Sequence, residues 1–438
     1  MCSEDGAEVM ELVEALGEKL RECQDEFTVQ DICNCLSGLK NMSCNHQSVS
    51  GTLSVILSKV YDSKEAFNGQ QIACAFYGLQ SMNLETKLMK ALVAELTLKV
   101  AGSVEIKPAH IAKALCSLRN SSSEYAIIRN LVRELTIKLE GCKDNLCAQE
   151  ISDSLFGLQN MSSCSEIRQL LRLLSLKVHS CKKFNTNQLS NAFFGLQLMN
   201  SDDGNEVMDI FNALILKSYD GLHVSKSRIS MILFGFRNIR IDSSTMAFVD
   251  RLIDILHQFN DRNTIDDIRL AYQYLVLVCS PGSNFALLIR NVPSIQTRIT
   301  EARMNLIQLL HSKSIANVDD SRNKSERKYQ KIIYRALESI PSIEVVSNSW
   351  LFGFEADIVI RKTIPGSSRF SAINIELDGT FHKIDRTKHR FCKLRDQHLR
   401  RDYGVHVERW DLVSLSLNHS VAAIIESTQQ IVRDKLLA

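Results

Sequence analysis

A motif that returns every 38–40 residues constrains this chain more than any other feature, because a repeat dictates the kind of core a polypeptide can build. Six segments share one template: ICNCLSGLKNM (32–42), IACAFYGLQSM (72–82), IAKALCSLRNS (111–121), ISDSLFGLQNM (151–161), LSNAFFGLQLM (189–199) and ISMILFGFRNI (229–239). With Gly38, Gly78, Ser117, Gly157, Gly195 and Gly235 as anchors, the spacings are 40, 39, 40, 38 and 40. Ile or Leu stands six before each anchor; Leu or Phe stands two before and one after. On a helical wheel these offsets span about 60°, a single apolar face. The positions five and three before are mostly Ala, Ser or Cys, small enough for a neighbouring helix to come close. A second motif ends at Lys59, Lys99, Lys138, Lys177 and Lys217, with apolar residues six, three and one before the lysine, as at Val93, Leu96 and Leu98. Each unit therefore reads as helix–turn–helix. Such a unit cannot bury its apolar face alone, so neighbours must stack.

The predicted fold is an all-α solenoid of about seven 38–40-residue helix–turn–helix repeats over residues 1–314, then a polar linker at 315–325 and a small α/β domain over 326–438. IDDIRLAYQYLVLV (265–278) reads as a degenerate seventh unit, and a helix through 283–314 closes the array. Lys19 lies 40 before Lys59, so the chain opens on a second helix, as a truncated N-terminus would. Only five prolines in 438 residues agree with so helical a chain. Thirteen cysteines without a CxxC pair argue against a disulfide framework and against zinc. No run of 18 apolar residues exists, so no membrane span is expected. The N-terminal MCSEDGAEVMELVEAL is acidic and shows no transit peptide.

The composition changes near residue 321. Residues 321–410 hold 18 Lys and Arg against 11 Asp and Glu, a local net of +7, which leaves 34 against 39, a net of −5, for the rest. SERKYQKIIYRALESI (325–340) is an amphipathic helix, and FEADIVIRK (354–362) and FSAINIELDG (370–379) alternate like strands. A helix through 385–403, a strand at 405–410 and a helix at 419–436 complete an α-β-β-α-β order. Asp357 and Glu376 end neighbouring strands, and alternation points Glu376 and Asp378 to one face. Such carboxylates could hold Mg²⁺ and activate water, with Glu326 a fourth acid and His382 a base or donor. Alternatively they pair with Arg395, Arg400 or Arg409 as structural ion pairs. The basic helix KHRFCKLRDQHLRR (388–401), with Arg395 and Arg400, is a phosphate-contacting candidate.

The C-terminal block resembles the RAP domain, whose hallmark is a strand ending Glu-x-Asp-Gly-x-x-His, present here as Glu376, Asp378, Gly379 and His382. The repeats look like the octotricopeptide and heptatricopeptide repeats of organellar RNA-binding proteins, which commonly precede a RAP domain. The resemblance implies binding of single-stranded organellar mRNA or rRNA and a part in RNA processing, stability or translation control. It implies ribonucleoprotein partners and a place in the mitochondrial matrix, with a plastid the alternative. RAP domains in turn resemble the PD-(D/E)xK nuclease fold, which makes Asp357, Glu376, Asp378 and His382 candidate catalytic residues. The nuclease signature wants Glu-x-Lys, however, and this chain has Glu376-Leu377-Asp378. The expectation therefore leans away from an enzyme and towards no cofactor, with Mg²⁺ required only by the metal-dependent endonuclease alternative.

Independently of any resemblance, the first helix carries three polar columns. Seven before the anchor come Asp31, Gln71, His110, Glu150, Gln188 and Arg228; four before come Asn34, Cys74, Lys113, Asp153, Asn191 and Met231. Two after the anchor stands a long donor every time: Lys40, Gln80, Arg119, Gln159, Gln197 and Arg237. Uniform donors suit an RNA backbone, and variable groups such as Gln188 and Asn191 suit base edges, one per repeat. Rival readings are solvated surface, donors that hydrogen-bond the last carbonyls of the helix, and a protein-binding scaffold like an armadillo array, which the net −5 favours.

Overall fold

The computed structural model describes residues 5–82, 84, 86–104, 106–218, 226–280, 283–314, 324–337, 340, 343–351, 354–363, 370–378, 386–411 and 421–437. Two compact units result: Met1–Gln258 with Pro281–Thr300, and Phe259–Ser280 with Glu301–Ala438. Most of the chain is helical, and a small mixed sheet lies near the C-terminus. Among the described residues, no helix is long and apolar enough to cross a membrane.

The first unit is built on α1 (Asp5–Glu22), α2 (Val29–Gly38), α3 (Gln47–Asp62), α4 (Gly69–Leu79), α5 (Lys87–Gly102), α6 (Pro108–Ser117), α7 (Ala126–Glu140), α8 (Ala148–Phe156), α9 (Ser165–Ser180), α10 (Thr186–Gly195), α11 (Asn205–Ser218), α12 (Lys226–Gly235) and α13 (Ser243–His257). Even-numbered helices pack in succession from α2 to α12, and odd-numbered helices from α1 to α13, giving two rows. The apolar columns of the even helices form the core: Ile32, Leu36 and Leu39, and their equivalents down to Ile229, Leu233 and Phe236, are buried. Anchor glycines let the even row close up. A Cβ built on Gly78, Gly195 or Gly235 would lie 2.0–2.3 Å from the carbonyl oxygen two residues before the preceding anchor.

The odd helices differ from expectation at one column. Val93 and Leu96 are buried, but Leu98, Ile137, Leu176 and Leu216, one before the recurrent lysine, are exposed. The lysines themselves reach back to the previous odd helix. Lys99 Nζ donates to the Ser63 carbonyl at 2.6 Å, and Lys138 Nζ to Ala101 and Ser103, each at 2.7 Å. Lys59 reaches Cys23 at 3.2 Å and Lys217 reaches His179 at 3.3 Å. Each cation sits at the negative end of a helix dipole and satisfies carbonyls the helix leaves open.

Thr264 caps α14 (Ile265–Val278), the expected seventh-unit helix, which falls in the second unit rather than in an array ending at 314. The single helix expected through 283–314 is two, α15 (Asn284–Asn291) and α16 (Pro293–Ser314), because a proline can open a helix but not continue one. Of the linker 315–325, residues 315–323 lie outside the described residues. The remaining two open α17 (Lys324–Leu337). Strands β1 (Glu344–Leu351), β2 (Phe354–Thr363) and β3 (Phe370–Asp378) form an antiparallel meander. Helix α18 (Arg386–Tyr403) then leads to β4 (His406–Asp411), parallel to β3, and α19 (Val421–Val432) follows. Strand β1 extends the expected α-β-β-α-β order. EVVSNSWL lacks strict alternation, so the sequence hides it. Ile358, Ile360, Ile373, Ile375 and Leu377 pack one sheet face against α17 and α19.

Candidate nucleic-acid interface

On the even helices, the residues left out of the core fall eight, seven and four before the anchor, joined one before it by Ser37, Tyr77, Cys116 and Phe156, which are half-buried, while Phe194 and Phe234 are buried. The first of these columns exposes Gln30, Gln70, Gln149 and Asn187. The fourth-before column exposes Asn34 and Lys113 and half-buries Cys74, Asp153, Asn191 and Met231. The two columns engage one another: Gln30 Nε2 donates to the Asn34 amide oxygen Oδ1 at 2.9 Å, and Gln149 Nε2 to the Asp153 carboxylate oxygen Oδ1 at 2.7 Å. Burial pushes the Asp153 carboxyl upward, against the pull of the Gln149 hydrogen bond.

The seventh-before column has a local task that its variability conceals. Asp31 accepts the Thr28 backbone N–H at 3.1 Å, Gln71 that of Asn68 at 3.0 Å, Glu150 that of Cys147 at 2.7 Å and Gln188 that of Asn185 at 2.9 Å. These are capping boxes, so Asp, Glu and Gln interchange there because each can accept one backbone donor. Gln188 keeps its Nε2 for Gln149 Oε1 of the preceding repeat, 3.3 Å away.

The donor column does not form the solvent-facing row expected of it. Gln80, Gln159 and Gln197 are buried, while Lys40, Arg119 and Arg237 are half-buried. Gln159 Nε2 donates to the Arg119 carbonyl at 3.2 Å. The next column continues the seam: Asn120 reaches the Gln80 carbonyl at 3.0 Å, Asn160 that of Arg119 at 2.6 Å and Asn238 that of Gln197 at 3.1 Å. The ends of α4, α6 and α10 leave these carbonyls unmet, and the following repeat supplies the donors. Lys40 differs. It donates to the Tyr77 hydroxyl and sits 3.8 Å from the ring centroid, with Lys113 4.9 Å from the same ring. The Lys40 hydrogen bond, then its charge, hold the Tyr77 phenol below its ordinary value.

Tyr77 belongs to a column one before the anchor, outside the polar columns and the apolar face of the motif. Phe156 and Phe194 stack with centroids 6.2 Å apart, and Phe194 and Phe234 at 6.0 Å. The aromatic-Gly pair inside four of the six motifs is the signal that marks it.

In the second unit, the sheet face opposite the core carries Glu376 and Asp378 from β3, with Arg409 beside Glu376 on β4. Arg395 on α18 meets Glu376 Oε2 at 2.9 Å, and Asn374 donates to Glu376 Oε1 at 2.7 Å. Arg409 bridges Asp378 at 2.6 Å and Asp396 at 2.6 Å. Burial alone would lower both guanidinium pKa values. Glu376 and Asp396 around Arg395, and Asp396 around Arg409, outweigh it and raise them. Asp357 accepts the Leu377 backbone N–H at 2.8 Å. Three predicted acids thus lie close together, but Glu376 and Asp378 are tied up with arginine. Arg395, expected to contact phosphate, is buried in this network, and exposed Arg400 donates to the Val407 carbonyl at 2.6 Å. His382 lies outside the described residues. No protein-family model matches this chain, and no curated protein matches it.

Proposed function

We propose that this chain binds single-stranded RNA along the even-helix face of an α-solenoid that ends in a RAP-type domain, and that it does so without cutting the strand. One observation supports the reading above others: Gln30, Asn34, Gln70, Gln149, Asn187 and Asn191 recur at fixed columns of a face that the core does not use. An amide offers a donor and an acceptor side by side, which is what a base edge asks for, and columns that return once per repeat, with an amide in the first, second, fourth and fifth units, suit one base per repeat. Tyr77 and Phe156, half-buried beside these amides, add stacking surface. Lys40 and Lys113 bring positive charge to the same stretch. The ion pairs on Glu376 and Asp378 support a structural role for those acids, so the reading needs no metal. The resemblance to organellar repeat proteins would place this activity in a mitochondrion or plastid.

Anisotropy titrations with a randomised single-stranded RNA test the reading. Alanine at all six amides should abolish sequence preference and weaken binding, whereas Asn191→Ala alone should relax preference at one nucleotide. Equal affinity and equal preference for the wild type and the six-fold variant would refute it.

A further inference from the structure

Four exposed aliphatic residues line up across the odd row of the first unit. Leu98 of α5, Ile137 of α7, Leu176 of α9 and Leu216 of α11 each stand one before the recurrent lysine, and they are 64%, 47%, 63% and 58% exposed. A single exposed leucine needs no explanation, but a column repeated over four successively packed helices makes a continuous apolar surface. Hydrogen bonds set the four level. Lys138 Nζ reaches the Ala101 carbonyl, one turn past Leu98, and Lys217 Nζ reaches that of His179, one turn past Leu176. Between α7 and α9, Arg133 meets Glu166 at 3.3 Å. Packed helix axes lie about 8–10 Å apart, so the strip advances by about that step from one aliphatic residue to the next.

Two further features say what could lie on it. At Ile137 the strip opens into a cavity of about 650 Å³, walled also by Val104, Ile106, Pro108, Lys107 and Lys143, with Val104 as its exposed apolar lip. The rim is basic. Among the described residues, Lys107, Lys143, Arg172, Lys182 and Lys183 are exposed along it, and the recurrent Lys99, Lys138, Lys177 and Lys217 are half-buried beside it. Against these stand exposed Glu140 and Asp144 and half-buried Glu95 and Glu134, apart from the Arg133–Glu166 pair.

We propose that Leu98, Ile137, Leu176 and Leu216 form a docking strip for an acidic amphipathic helix of a partner protein, laid across the odd row with an aliphatic residue at every seventh position. Spacing selects the helix. Seven residues of α-helix rise about 10.5 Å, so a helix crossing slightly aslant meets one odd helix per heptad. Charge selects its flanks, because carboxylates on both sides of its apolar stripe would face the lysines and arginine of the rim. The cavity at Ile137 gives one heptad room for a larger apolar anchor. The strip belongs to the odd helices and the amide columns to the even ones, so this inference does not rest on RNA binding.

The probe is a labelled designed peptide of four heptads, with leucine at every seventh position and alanine and glutamate elsewhere, titrated with the full chain. Saturable binding is expected, weaker by about tenfold or more when the same residues are shuffled. Ile137→Asp combined with Leu176→Asp should weaken binding by a similar factor. Lys143→Glu combined with Arg172→Glu should turn the preference towards a peptide with lysine in place of glutamate. All four positions are exposed, so both variants should melt like the wild type. Undetectable binding overturns the strip, as does binding unchanged in both variants or equal for the acidic and basic peptides. Two other occupants would show themselves and overturn the assignment to a partner helix. Adsorption to phosphatidylserine vesicles in place of the peptide, lost in the double aspartate variant, would mean an anionic membrane. A concentration-dependent dimer in sedimentation, lost in the same variant, would mean a second copy.

Discussion

A Cβ on Gly157 would lie 2.0 Å from the Leu115 carbonyl oxygen, and backbone atoms cannot step aside as a side-chain end can. Gly157→Leu should therefore destabilise the first unit by about 3 kcal/mol, the upper end for overpacking. Gly38→Leu should leave stability unchanged or raise it slightly, since leucine favours helix over glycine by up to about 1 kcal/mol. Paired thermal melts decide this; equal losses at both positions would mean the two glycines share an environment. Tyr77 offers a second residue-level test. Its phenol is held below its usual value near 10 mainly by the Lys40 hydrogen bond. Ultraviolet titration should find one tyrosine ionising early, and Lys40→Met should return it to the ordinary range. The anchor glycine was legible in the sequence as a recurrent small residue, but whether a neighbour presses on it was not.

Among the elements, the recurrent lysine joins one odd helix to the next. Lys138 serves two carbonyls at the end of α5, so Lys138→Met should cost about 1 kcal/mol in denaturant unfolding. An outer solvated lysine would cost nothing measurable. In the second unit, α18 is joined to β3 and β4 by the Glu376–Arg395–Asp396–Arg409–Asp378 network. Removing one partner leaves a buried charge uncompensated, so Glu376→Ala should destabilise that unit by about 3–5 kcal/mol. The loss should be the same with Mg²⁺ or with a chelator. A stabilised Glu376→Ala protein, or wild-type stability that rises with Mg²⁺, would point instead to repelling carboxylates around a metal.

For the whole molecule, the proposed RNA binding predicts that affinity for single strands falls as salt rises, with Lys40, Lys113 and the basic C-terminal region as the candidate phosphate contacts. The RNA should emerge intact after incubation with Mg²⁺. Cleavage lost in both Asp357→Ala and Glu376→Ala, each still folded, would reverse this. Periodicity alone determined the core columns of the even row, since a spacing near 3.6 residues specifies a face whatever lies opposite, whereas in the odd row it also marked Leu98, which is exposed. It also placed β2, β3, β4 and the shared face of Glu376 and Asp378, because alternation is local. What the tertiary structure decided was the partner of each polar group. Lys40, Gln80 and Gln159 look alike in sequence as long donors, yet one holds a tyrosine and two are sealed inside an inter-repeat seam. Arg395 and Arg400 sit on one basic helix, yet one is buried against Glu376 and the other meets a backbone carbonyl. A hydrogen bond or ion pair depends on a group about 40 residues away, or on another strand, and no local pattern encodes that distance.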